Sequence, residues 1–190
     1  ALNRTVSKNV AGNTTTYGYD LDGKVITTTD NAGTLRNTFD RLGRVSTATQ
    51  TNGAMVSYLY DELGRRTQLT YPDSNSVSYY YDSLGRLTDV NDTADENLAH
   101  YEYDALSRRV SVLYANGTET SYVYSNTNRL LQLGNTTLTQ PSTYAYTYDL
   151  VGNRTSMLVN GTEYHAYTYD DIYQLTNADY PQDYFQADTI

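Results

Sequence analysis

Tyr58-Leu59-Tyr60-Asp61-Glu62-Leu63-Gly64-Arg65-Arg66-Thr67-Gln68-Leu69-Thr70 decides how the chain folds. Tyr58 and Tyr60 lie two residues apart, a spacing that puts both rings on one face of an extended strand. Asp61 suits the first position of a tight turn, where its carboxylate accepts a hydrogen bond from the backbone two residues on. Gly64, at the fourth position, takes a positive φ without steric cost. The Thr and Leu beyond the turn favour a second strand. The stretch therefore reads as strand, turn, strand.

The same unit recurs along the chain. Close copies begin Tyr19-Asp20, Phe39-Asp40, Tyr60-Asp61 and Tyr81-Asp82, place Gly23, Gly43, Gly64 and Gly85 at the fourth turn position, and follow them with Lys24, Arg44, Arg65 and Arg86. Four looser copies are Tyr103-Asp104 with Ser107 and Arg108, Tyr124-Ser125 with Asn128 and Arg129, Tyr148-Asp149 with Gly152 and Asn153, and Tyr169-Asp170 with Tyr173 and Gln174. Counted from the Asp position, the steps are 20, 21, 21, 22, 21, 24 and 21 residues. A second Tyr stands two residues ahead in every copy but one, where Asn37 replaces it. Asn128 tolerates the left-handed conformation. Ser107 and Tyr173 share that tolerance poorly, so their two turns are expected to differ.

About ten residues after each Asp turn comes a second punctuation, as in Asn31-Ala32-Gly33, Asn52-Gly53, Pro72-Asp73-Ser74-Asn75, Asn116-Gly117 and Asn160-Gly161. Asn-Gly between alternating segments predicts a hairpin closed by a mirror-image turn. The expected fold is all-β, with tandem antiparallel β-hairpin repeats of about 21 residues. One layer of hairpins cannot bury an aromatic ladder unaided, so the strip should curl or spiral like a solenoid. The predicted organisation is an N-terminal partial repeat or edge strand over 1–16, the repeat array over 17–178, and a C-terminal edge segment over 179–190.

Composition narrows the function. The chain has 190 residues, 22 Tyr, no Trp, no Cys and a formal net charge of −9. Without cysteine there is no disulfide, thiolate metal site or Cys nucleophile. The acidic balance disfavours nucleic acid, and the pairs Arg65-Arg66 and Arg108-Arg109 read as exposed turn charges. No apolar run is long enough to span a bilayer as a helix, and no leader pattern opens the sequence.

The recurring Tyr-Asp-x-x-Gly-Arg motif resembles the YD repeat, also called the Rhs repeat, of Rhs proteins, the B and C components of Tc toxins, and teneurins. The resemblance runs from about Tyr17 to Gln174. It implies hairpins laid side by side into a strip that spirals into a hollow shell, often around a toxic C-terminal region. The Asp-Pro-x-Gly hallmark that accompanies self-cleavage in Rhs proteins does not occur in this sequence, and no toxin-like region follows the repeats. Autoproteolytic or toxin activity is therefore not expected of this chain.

The Asp column (Asp20, Asp40, Asp61, Asp82, Asp104, Asp149, Asp170) recurs once per repeat, which suits turn capping better than acid-base chemistry or a calcium ladder. The basic column is expected to form a ladder of ion pairs and Arg-Tyr stacks between adjacent hairpins. His100 and His165 are expected to be exposed or half-buried, with no nucleophile or metal partners at a suitable spacing. The tyrosines are assigned to packing in preference to sugar stacking. Seven Asn-x-Thr sequons mark potential N-glycosylation at Asn3, Asn13, Asn91, Asn116, Asn135, Asn153 and Asn160.

No catalytic residue, cofactor or metal is assigned. The functional expectation is a non-enzymatic, secreted structural scaffold, whose partners are neighbouring repeats, copies of itself or an enclosed polypeptide cargo. The competing expectation is an extracellular fibre subunit joined end to end by strand addition.

Overall fold

The computed structural model describes residues 4–137 and 140–180, which form seventeen β-strands and no helix. The chain divides into two compact units, Ala1–Tyr81 with Val90–Glu96, and Asp82–Asp89 with Asn97–Ile190. In the first unit, β1 (Ser7–Val10), β2 (Asn13–Tyr19), β3 (Val25–Asp30), β4 (Gly33–Phe39), β5 (Val45–Thr49), β6 (Met55–Tyr60), β7 (Arg66–Thr70) and β8 (Ser76–Tyr81) each pair antiparallel with the next. β9 (Leu87–Asn91) is divided between the units. The second unit continues with β10 (Asn97–Tyr103), β11 (Arg109–Tyr114), β12 (Glu119–Tyr124), β13 (Leu130–Thr136), β14 (Ser142–Tyr148), β15 (Arg154–Val159), β16 (Glu163–Tyr169) and β17 (Leu175–Asp179), again paired in succession. Residues 181–190, most of the expected C-terminal edge segment, lie outside the described residues, as do Asn3, Leu138 and Thr139.

Period-two alternation gives each hairpin an aromatic face and a hydroxyl-rich face. On the aromatic face, Tyr58 stands opposite Leu69, which stands opposite Val77. In the second unit Tyr122, Leu133 and Tyr144 form an equivalent row. On the other face, Thr38 and Thr47 are directly opposite with their hydroxyls 2.6 Å apart, and Thr147 meets Ser156 at 2.6 Å. β-Branched residues pack there while keeping a hydroxyl partner. Among the described residues only Ala99, Val112 and Tyr167 are buried apolar side chains. Most of the aromatic face is half-buried, as a single layer of hairpins requires.

A bulge marks the motif tyrosine. In β6–β7 the register runs Leu59 opposite Gln68 and then Tyr60 opposite Arg66, leaving Thr67 unpaired. The same slip occurs at Tyr19, Phe39, Tyr103, Tyr124, Tyr148 and Tyr169. A bulge bends its strand and raises the local twist. It thereby fixes where the Asp turn points.

Two turn expectations are corrected. Ser107 and Tyr173 adopt φ of 62° and 64°, like the glycines they replace. Their amides donate to the carbonyls of Asp104 and Asp170, each at 3.0 Å, so these turns do not differ. At Asn52-Gly53 and Asn116-Gly117 only the glycine has a positive φ, so neither is a mirror-image turn. The Asn occupies the third place of a longer loop, closed by Gly53 N–H to Gln50 C=O at 2.9 Å and by the equivalent Gly117–Tyr114 bond. There the Asn side chain accepts the Ala54 or Thr118 amide at 3.0 Å. Asn160-Gly161 does have two positive φ values, 51° and 73°.

Candidate functional site

The repeated chemistry lies along the edge formed by the Asp turns. In the turn 61–65, Gly64 N–H donates to Asp61 C=O at 3.1 Å, and Asp61 N–H to Arg65 C=O at 2.9 Å. The carboxylate completes the loop: Asp61 Oδ1 accepts Arg65 N–H at 2.8 Å, and Oδ2 accepts Arg65 Nε at 2.6 Å. Asp40–Arg44, Asp82–Arg86 and Asp104–Arg108 repeat this double contact. The ion pair thus forms inside one turn, four residues apart, and not between adjacent hairpins as expected.

These contacts hold the carboxyls below their usual range. The Arg44 and Arg86 backbone amides are the main cause at Asp40 and Asp82. At Asp61, Asp104 and Asp149 partial desolvation pushes upward, and it is outweighed by hydrogen bonds from Arg65, Arg108 and the Asn153 side chain with nearby amides. Each carboxylate is therefore spent on its own turn, which leaves it unsuited to proton transfer.

What does cross between hairpins is the rest of the guanidinium. Arg44 Cζ lies 4.6 Å from the Tyr60 ring centroid, and Arg65, Arg86 and Arg108 lie at 4.5, 4.7 and 4.7 Å from Tyr81, Tyr103 and Tyr124. Arg44 Nη1 also donates to Asp61 C=O at 2.8 Å, Arg108 Nη1 to Ser125 C=O at 3.0 Å, and Arg129 Nη1 to Asp149 C=O at 2.6 Å. Arg44, Arg86 and Arg108 close their own turns with Nε and clamp the next turn with Nη1 and the planar face; Arg65 does so with Nε and its face, and Arg129 with Nη1 and its face. Each stack contributes about 0.5–1 kcal/mol.

The motif tyrosine reaches in the opposite direction. Tyr60 OH donates to Val45 C=O at 2.9 Å, Tyr81 OH to Arg66 C=O at 2.8 Å, and Tyr148 OH to Leu130 C=O at 2.7 Å, always one residue past the preceding basic position. Phe39 cannot make this bond. Replacements at the glycine position also serve the clamp: Ser107 Oγ and Asn128 Oδ1 sit 3.3 Å from Nη1 of Arg86 and Arg108.

Sequence reading missed three features. Arg4 belongs to the basic column, stacking on Tyr19 at 5.4 Å while Tyr19 OH donates to Thr5 C=O at 2.6 Å. The signal was Asn3-Arg4, which matches Asn128-Arg129. Arg66 and Arg109 are exposed, as expected, and in addition stack on Tyr79 and Tyr122 at 4.6 and 4.8 Å. His165 is 6 % exposed, contrary to expectation, and its Nδ1 has no hydrogen-bond partner among the described residues. Its ring forms a T-shaped pair with Tyr180, centroids 5.2 Å apart. His100 is partly exposed and contacts Asp89 at 2.7 Å. No group of three potential metal ligands occurs among the described residues.

The sequons separate by geometry. Asn13, Asn116 and Asn160 are exposed, whereas Asn91, Asn135 and Asn153 are half-buried. The amides of the latter donate to Asp95, Ser142 and Asp149.

Tandem bulged hairpins joined by an Asp–Arg turn edge define a repeat-built β-strip of the YD-shell class. A family model described as teneurin YD-shell matches residues 2–168, and the chain belongs to that family. Solved structures share the fold. The TcdB2-TccC3-Cdc42 crystal structure is 18% identical with a TM-score of 0.71 over 84% of this chain and 10% of that one. TcdB2-TccC3-TEV is 20% identical, with a TM-score of 0.70 over 83% and 10%. The Photorhabdus luminescens Tc holotoxin pore is 18% identical, with a TM-score of 0.65 over 88% and 12%. The chain thus spans about a tenth of the length of these structures. A search of curated protein sequences gave no match.

Proposed function

We propose that this YD-shell segment is a non-catalytic wall element of an extracellular shell that encloses a polypeptide cargo. The observation that carries the reading is membership of the YD-shell family over residues 2–168. The turn edge supports it: its carboxylates and guanidinia are consumed in joining each hairpin to the next, which makes them structural devices. In this reading 17–178 is the array, and 1–16 and 179–190 are the places where the strip meets further repeats.

The test uses the parent protein. Its reading frame should carry more repeats beside this stretch, and the secreted product should hold a segment resistant to protease until the strip is unfolded by denaturant. A frame confined to this stretch, or a cargo digested as fast as free peptide, would overturn the proposal. Filaments of the purified chain that lengthen with concentration in negative-stain images would favour end-to-end strand addition instead.

A further inference from the structure

The clamp changes at the seventh of the eight copies. Asn153 occupies the basic position, and its Nδ2 donates to Asp149 Oδ2 at 2.8 Å, reproducing the inner bond that Arg Nε makes elsewhere. Asn ends there. The outer half of the clamp, a planar cation over the next aromatic ring, has no counterpart from this residue. Yet the receiving turn keeps its form: Tyr169 OH donates to Arg154 C=O at 2.9 Å, and Asp170 Oδ1 accepts the Gln174 amide at 2.8 Å. Among the described residues no cation stacks on Tyr169, and Arg154 is turned to Tyr167 at 4.6 Å.

An open cavity of about 490 Å³ lies at this place, lined by Asn153, Tyr169, Asp170, Asp171, Tyr173 and Asp149 among others. A second turn-edge cavity, of about 510 Å³, lies where Lys24 replaces arginine before Phe39. Cavities therefore open along the edge at Lys24 and Asn153, the two departures from arginine that are followed by another copy of the motif. At the first departure an ammonium still stands 5.5 Å from the ring. At the second, the sequence after Arg154 contains no Lys or Arg and six carboxylates, Glu163, Asp170, Asp171, Asp179, Asp183 and Asp188.

We propose that the groove between turns 149–153 and 170–174 is a docking site for an arginine side chain of another polypeptide. The protein supplies the template, since seven equivalent positions hold a cation from the preceding repeat and six of those cations are guanidinia stacked at 4.5–5.7 Å from Tyr19, Tyr60, Tyr81, Tyr103, Tyr124 and Tyr148. A guest guanidinium would lie on Tyr169, donate to Asp170 C=O and face an acidic surround. A planar fork suits this better than an ammonium, because it stacks and donates at once. Tyr173, standing where other turns have Gly, Ser or Asn, adds a second ring to the groove wall. The inference stands on local geometry and is independent of what the shell encloses.

The experiment titrates the purified chain with N-acetyl-arginine methylamide, following tyrosine ring resonances by NMR, with the citrulline analogue as a neutral control of the same shape. The arginine probe should shift the Tyr169 and Tyr173 signals and bind at least several-fold more tightly than citrulline. Asn153→Arg should abolish that response and raise the melting temperature, because the chain then fills its own groove. Should that variant fold poorly, Arg108→Ala provides the converse test, creating a second probe site over Tyr124. Equal binding of the two probes, an unchanged response in Asn153→Arg, or no binding over Tyr124 in Arg108→Ala would overturn the proposal. Tighter binding of free L-arginine than of the blocked amide would overturn the assignment to a polypeptide.

Discussion

At the scale of single residues, the fourth turn position carries two demands. It must adopt a positive φ, and wherever the preceding repeat supplies a cation it must leave room for that cation; Tyr173 meets the first demand, at a turn to which the preceding repeat supplies none. A Cβ added at Gly43 would lie 2.5 Å from Lys24 Nζ, and one at Gly152 would lie 3.2 Å from Arg129 Nη2. Asn128 and Ser107 meet both demands by offering that cation an acceptor. Gly64→Val should therefore destabilise the chain by about 1–3 kcal/mol, the cost of holding a β-branched residue in a disfavoured region. Gly64→Asn should cost a small fraction of that and gain a bond to Arg44. Urea midpoints of the two variants check this, and equal midpoints would contradict it. Tyr81→Phe removes the bond to Arg66 C=O and should cost about 0.5–1.5 kcal/mol. Phe39 shows that the ring alone is accommodated in the repeat.

At the scale of the hairpin, turn and clamp form one unit that depends on ionised carboxylates. Asp40, Asp61, Asp82, Asp104 and Asp149 all have pKa values lowered by folding. The stabilisation they provide is complete above the unfolded-state value of about 3.9 and is lost as pH falls through the lower folded-state values. Urea midpoints should be flat from about pH 6 to 5 and fall as pH drops below about 4. Asp61→Asn should lower the midpoint at pH 6 and reduce the fall on acidification. An acid limb identical to that of the unaltered chain would show that the turn carboxylate is not responsible. The bulge at Tyr19, Phe39, Tyr60, Tyr103, Tyr124, Tyr148 and Tyr169 belongs to the same unit, since the residue beyond the basic position supplies the carbonyl that the next tyrosine binds.

At the scale of the whole molecule, few described side chains are fully buried, so stability rests on contacts handed from repeat to repeat. Breaking one clamp should weaken its neighbours: Arg86→Ala is expected to increase amide exchange in β9–β11 more than in β2–β5, read by hydrogen exchange. Uniform loosening of all strands would argue against nearest-neighbour behaviour. On a secretory route that glycosylates, glycans are expected at Asn13, Asn116 and Asn160 and not at Asn91, Asn135 or Asn153, whose amides are engaged in the folded chain. Peptide mapping after secretion tests that division.

Much of this was legible in the sequence because it is local. The spacing of Tyr58 and Tyr60, the Asp61 and Gly64 turn positions and the recurrence near 21 residues follow from backbone sterics and a period of two. The turns at Ser107 and Tyr173 were not legible in this way, because residue propensity disfavours the positive φ that both residues hold between their flanking strands. The partner of each arginine was not legible either. Sequence places Arg44 four residues from Asp40 and sixteen from Tyr60 with nothing to rank the two, and the fold gives it both. Hairpin, repeat and the two faces are local, and residue types at fixed spacings encode them. The clamp arises on folding, because strands about 4.8 Å apart put successive Asp turns, two strands removed, within reach of a single guanidinium.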